Sequence, residues 1–206
     1  DPRIRDQVKF VNAFGPYYDA RDLLLQVASR ARYYQGQREP WQPDSLTLKV
    51  LANELIETLT DPREREVMMR LYLERQDIPQ SELERLSEPA LRVRRLLDGT
   101  TPQEAQALYR ELPSDFRESM SRISPSTYVG NLKARVMILH DRDDRLVPAA
   151  ESRRLAGALE ERGNLRYTEV LGFEHVRVKS GGSLWKLAKE GFKLSRHMYG
   201  VLREAG

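Results

Sequence analysis

Two side chains in this 206-residue sequence stand where they could share a proton: Asp144 and His175. Asp144 lies just beyond a short apolar run, Val136 to Leu139, and His175 follows a second strand-like stretch, Leu165 to Leu171. A carboxylate that orients an imidazole fixes its tautomer and stabilises the imidazolium, which is the acid–base half of a catalytic triad. The spacing of 31 residues between them fits one helix plus one strand. If the two strands are parallel neighbours, both side chains leave the same rim of the sheet, where open α/β sheets build their sites.

The elements that must position this pair can be read in order. Val8 to Phe14 reads as a strand broken by Gly15-Pro16. Ala20 to Arg32 looks helical, and helical patterns continue from Pro40 to Ser124. Asp44 or Ser45, Asp61 and Thr101 stand at helix starts, the last in Thr101-Pro102-Gln103-Glu104, a capping box with proline at the first helical position. The apolar run 136–139 has the character of a buried parallel strand. Ala149 to Glu161 is the next helix, stopped near Gly163. Leu184 to Arg203 closes as an amphipathic helix with Leu184, Leu187, Ala188, Phe192, Met198 and Val201 near helical spacing. A basic amphipathic helix can lie on a membrane surface, but this one is expected to pack back on the sheet. The final β-α-β-α alternation predicts right-handed crossovers and a parallel sheet.

Composition narrows the function classes. The chain is 40% hydrophobic and 32% charged, with net charge +3. Basic and acidic residues interleave, as in Arg63-Glu64-Arg65-Glu66, so no basic stripe points to nucleic acid. Cysteine is absent, which excludes disulfides and thiolate chemistry and suits a reducing compartment; a cytoplasmic location is expected. No apolar run reaches the ~18 residues of a transmembrane span. The opening Asp1-Pro2-Arg3, with neither Met nor an apolar signal core, reads as the interior of a longer protein.

The segment His140-Asp141-Arg142-Asp143-Asp144-Arg145-Leu146-Val147-Pro148 resembles the H-G-x-x-D-x-x-V-P segment that carries the triad acid of α/β-hydrolases. Asp141 stands in place of the usual glycine, a departure expected to alter the turn while keeping the spacing of the acid. Gly172-Phe173-Glu174-His175 is similar to that superfamily's histidine loop. The resemblance implies an α/β fold, the C-terminal part of an α/β-hydrolase: a short, mostly parallel sheet with a large helical cap insertion. Residues 1–20 and 124–206 would form the partial core and residues 21–123 the cap, roofing an apolar pocket. Val8 to Phe14 would be the sixth strand.

The nucleophile decides what such a chain can do. That fold places serine in G-x-S-x-G ahead of the acid and the histidine. No such string occurs here; Gly181-Gly182-Ser183-Leu184-Trp185 lacks the last glycine and follows His175. The resemblance therefore implies part of a serine hydrolase of esterase, lipase or acyl-hydrolase type, in which Asp144 orients His175 and His175 acts as general base and then acid. The chain alone should turn over little or nothing. Its partners would be an acyl substrate and the missing N-terminal half, with self-association through the edge of the first strand or through the cap. Neither a cofactor nor a metal is called for. One alternative is a non-catalytic interaction module of hydrolase origin. Another is a Mg²⁺-dependent phosphatase of haloacid-dehalogenase type, from the superficial D-x-D of Asp141-Arg142-Asp143.

Overall fold

The computed structural model describes residues 3–4, 6–171, 173–174, 177–178 and 184–205, the backbone alone for 173–174, 177–178, 184, 186 and 187. The chain divides into two compact units, residues 1–19 with 124–206, and residues 20–123.

Strand β1 (Phe10–Phe14) belongs to the first unit. The chain then builds the second. Helix α1 (Ala20–Ser29) ends three residues before the sequence pattern suggests. Arg30 takes a left-handed conformation, φ 49°, and its guanidinium donates to the carbonyls of Val27 and Leu97, so its own side chain caps the helix it terminates. Strands β2 (Ala31–Tyr34) and β3 (Gln37–Pro40) follow as an antiparallel hairpin, which corrects the expected helix at Ala31 and Arg32. Its two-residue turn, Gln35-Gly36, has positive φ at both positions, the backbone that right-twisted hairpins demand.

The rest of this unit is helical: α2 (Ser45–Ile56), α3 (Pro62–Tyr72), α4 (Gln80–Leu83), α5 (Glu88–Asp98), α6 (Pro102–Arg110) and α7 (Ser114–Ile123). Asp44, Asp61 and Thr101 each accept a backbone N–H of the first turn, from Leu46, Arg63 and Glu104. These bonds satisfy donors that have no partner inside the helix. Leu24, Leu55, Ile56, Met68 and Leu96 are fully buried and form the centre of the unit.

The first unit resumes with the short α8 (Pro125–Tyr128) and the strand β4 (Arg135–Asp141). Then come α9 (Ala149–Leu159), β5 (Leu165–Val170), the two-residue strands β6 (Phe173–Glu174) and β7 (Arg177–Val178), and α10 (Leu184–Ala205). The sheet is three-stranded and parallel in the order β1-β4-β5, with Phe14 opposite Leu139 and Asp141 opposite Val170. This is an α/β arrangement with a small parallel sheet and many helices. β4 is central and buried from Val136 to His140, as its unbroken apolar run requires.

Alternation splits the sheet into two faces. Val136 and Ile138 pack with Leu155, Ala156 and Leu159 of α9. The other face meets α10, in part through polar groups. His197, fully buried, has Nε2 3.0 Å from Asn12 Oδ1 and Nδ1 3.0 Å from Thr168 Oγ1, and so links β1 to β5. Glu190, also buried, accepts from the Leu171 N–H at 3.0 Å and pairs with Lys193. The helix packs back on the sheet as expected, but Phe192 and Met198 of its apolar set face away from it, 68% and 42% exposed. Among the described residues no helix is long and apolar enough to cross a membrane.

Candidate functional site

The three parallel strands deliver their carboxyl ends to one rim, and the residues beyond them define the site. β4 ends in nested polar turns. Asp141 Oδ1 accepts from the Asp143 N–H at 2.9 Å, and the Asp144 N–H reaches the Asp141 carbonyl at 3.2 Å. Asp144 Oδ1 then accepts from the N–H groups of Leu146 and Val147, at 2.6 and 3.2 Å. Short side chains that bond backbone just ahead of them make such turns without help from elsewhere. Asp141 keeps an ordinary backbone: the described non-glycine residues with positive φ are Arg30, Gln35 and Arg75. Nothing in this turn requires a glycine there, and the Asp141 carboxylate serves the turn instead.

The second carboxylate oxygen of Asp144 is confined from two sides. A Cβ built on Gly15 would lie 3.3 Å from Oδ2. Gly15 follows β1, has φ 54°, and donates its N–H to the Leu139 carbonyl at 2.9 Å. The segment after Gly15 is fixed in turn by Glu151 of α9, fully buried, whose Oε2 accepts the Tyr18 and Asp19 N–H groups at 3.0 Å each. The other neighbour is His140, whose Nε2 lies 3.6 Å from Oδ2, too far for a hydrogen bond. That nitrogen is 3.0 Å from the Val147 carbonyl, so the tautomer carries its proton on Nε2 and donates it there. Burial lowers the His140 pKa against the opposing pulls of the Val147 bond and the Asp144 charge, so the ring is neutral. Its Nδ1 is buried with no hydrogen-bond partner among the described residues. Being fully buried, His140 cannot meet a substrate; it braces the turn from below.

The exits of β4 and β5 are clamped together. The Arg142 N–H continues the ladder to the Val170 carbonyl at 2.9 Å. Glu169, opposite His140 in register, accepts from Arg142 at 2.6 Å, from Arg153 through two bonds of 2.8 Å, and from the Tyr167 hydroxyl at 2.7 Å. Burial alone would raise the Glu169 pKa, but these donors outweigh it and hold it at about 2.

Of the two residues singled out by the sequence, Asp144 thus stands at this rim, 21% exposed at its side chain. His175 lies outside the described residues, as do Gly172 and the string Gly181-Gly182-Ser183. β5 ends in register with Asp141, and the antiparallel pair β6–β7 brackets position 175 in the sequence. Gly15, Glu151 and Glu169 were not indicated by spacing, the one local hint being the Gly-Pro break directly after β1, whereas His140 opens the string that marks Asp144. No group of three or more carboxylates or imidazoles among the described residues is arranged to hold a metal ion.

Compared with protein-family models and with curated proteins, the sequence matches none.

Proposed function

We propose that this chain is the part of a serine hydrolase that supplies the triad acid and histidine, Asp144 and His175, to a serine contributed from outside it. His175 takes the proton of that serine hydroxyl as oxygen attacks an ester, thioester or amide carbonyl. It passes the proton to the departing group, and the acyl-enzyme is then cleaved by water through the same exchange in reverse. Asp144 holds the imidazole in the tautomer that can accept the proton and stabilises its charged form. The observation that supports this reading most directly is the anchored carboxylate at the carboxyl end of the central parallel strand. One oxygen is occupied by two backbone donors, so the side chain cannot swing. The strand that leads to His175 ends at Val170, in register with Asp141 three residues before Asp144.

Proton NMR of the chain tests the pairing. An imidazole N–H held by a carboxylate resonates far downfield of ordinary ring protons. The signal is expected in the wild-type chain and absent in both Asp144→Asn and His175→Asn. A downfield signal that survives Asp144→Asn, or none in the wild type, refutes the pair. A fluorophosphonate probe tests the missing serine independently: the chain should stay unlabelled, and stoichiometric labelling contradicts a nucleophile supplied from outside.

A further inference from the structure

Helix α10 carries an apolar row on the face turned away from the sheet, unusual for the outer layer of an α/β sheet. Such a helix ordinarily turns its apolar stripe to the strands and its charges to water. Here the face toward the sheet carries Glu190, His197 and Gly200, all buried, beside the half-buried Leu194 and Val201. The Arg166 guanidinium lies against the helix at Gly200 and donates to the Arg196 carbonyl at 2.6 Å. The opposite face carries Trp185, Phe192, Tyr199 and Leu202, exposed by 85%, 68%, 67% and 68%. The three aromatic residues recur every seven positions. They form one line along the helix about 21 Å long at 1.5 Å per residue. Single exposed apolar residues need no explanation, but a contiguous row does.

Charge on the helix is segregated as well. Its two acids are both engaged: Glu190 with Lys193 and the Leu171 N–H, Glu204 with Arg135 and Arg203. Lys189, Arg196 and Arg203 flank the aromatic row on the exposed side. Arg135, Arg196 and Arg203 also stand close enough to Arg166 that, after burial, their charges lower its pKa. A cluster of like charges beside an unpartnered aromatic row is complementary to a surface both apolar and anionic.

We infer that this face of α10 docks the chain on an anionic lipid surface, with the aromatic row at the level of the headgroups and acyl boundary and the arginines among the phosphates. Trp and Tyr favour that depth because each has an apolar body and a polar tip, and binding grows with buried apolar area plus attraction to anionic lipid. A second copy of the chain fits less well. Two such faces would bring basic rows together with no acid on either to meet them. The row is also convex and straight, not a groove that would clasp a helix of another protein. The inference uses no residue of the candidate hydrolase site and stands apart from it.

Flotation of the chain with vesicles decides it. Binding is expected to phosphatidylcholine mixed with phosphatidylserine and not to phosphatidylcholine alone, with a blue shift of Trp185 emission; the other tryptophan, Trp41, is buried. Phe192→Ser with Tyr199→Ser removes two exposed side chains, so the fold persists by circular dichroism while binding falls by about tenfold or more. Arg196→Gln and Arg203→Gln should each lower it roughly fivefold. Four results overturn the inference: no flotation, equal flotation with neutral vesicles, binding to poly-glutamate in place of vesicles, or a dimer abolished by Phe192→Ser.

Discussion

Replacing Gly15 with alanine should disturb Asp144 from across the sheet. Gly15 sits at φ 54°, where an L-residue is strained by about 1–2 kcal/mol, partly offset by ~0.4–1 kcal/mol of lost freedom in the unfolded chain. That backbone contribution is general, and Gly163 supplies its control. Gly163 lies in the same unit at φ 66°, and a Cβ there meets nothing within 4 Å. Both alanine variants should therefore lose about 1 kcal/mol in urea unfolding. Gly15→Ala carries a second effect. Its Cβ would stand 3.3 Å from Asp144 Oδ2, so the carboxylate must give way by a few tenths of an ångström. The carboxylate is held at Oδ1 by bonds of 2.6 and 3.2 Å, and the longer is the one that yields. Bonds to a charged acceptor contribute about 1.5–3 kcal/mol net, so losing part of one costs about 1 kcal/mol more. Hydrogen exchange reads this locally. The Val147 amide should exchange about fivefold faster in Gly15→Ala and be unchanged in Gly163→Ala. Equal unfolding losses and unchanged exchange at Leu146 and Val147 in both variants would show that the contact does not position the acid.

Two further expectations concern pH. Glu169 is held at about 2, against an ordinary value of 4.5, so its contribution is present above pH 4.5 and lost as pH falls toward 2; Glu169→Gln should lower the urea midpoint at neutral pH and flatten the acid slope in that window. His197 is depressed from its ordinary 6.5 by burial first and the Arg166 charge second, so the folded state resists its protonation, and stability is full above 6.5 and declines below it. In thermal unfolding from neutral to mildly acidic buffer, His197→Gln should keep only the share of that decline due to His140, which burial also depresses. An unaltered acid slope in either variant would refute the corresponding assignment.

What the sequence made legible was local. Asp44, Asp61 and Thr101 cap helices because a short oxygen-bearing side chain finds its own backbone, and that chemistry needs no partner far away. The unbroken run Val136–Leu139 marked the central strand, and the spacing after it marked a turn around Asp144. What stayed hidden depended on distant partners. The end of α1 is set by Arg30, whose guanidinium is satisfied by Leu97 far along the chain. Periodicity shows that α10 has an apolar stripe but not which way it faces. That is decided by Asn12 and Thr168, which satisfy His197, and by the Leu171 N–H, which satisfies Glu190. Gly15 was invisible as a neighbour of Asp144 for the same reason, whereas His140 stands four residues before it in the same string.

The rim of the sheet holds its acid by two independent means. One is the turn that Asp144 makes with Leu146 and Val147, which depends on four residues of sequence. The other is the set of bonds that ties the surrounding segments to the sheet: Gly15 to Leu139, Glu151 to Tyr18 and Asp19, Arg142 and Arg153 to Glu169. A carboxylate that served only to cap its own turn would need the first and not the second. Buried charges such as Glu151 and Glu169 cost desolvation, and well-packed apolar residues often do as well for stability alone. Their presence around the exits of β1, β4 and β5 fits the fixed geometry at Asp144 that the proposed pairing with His175 would require.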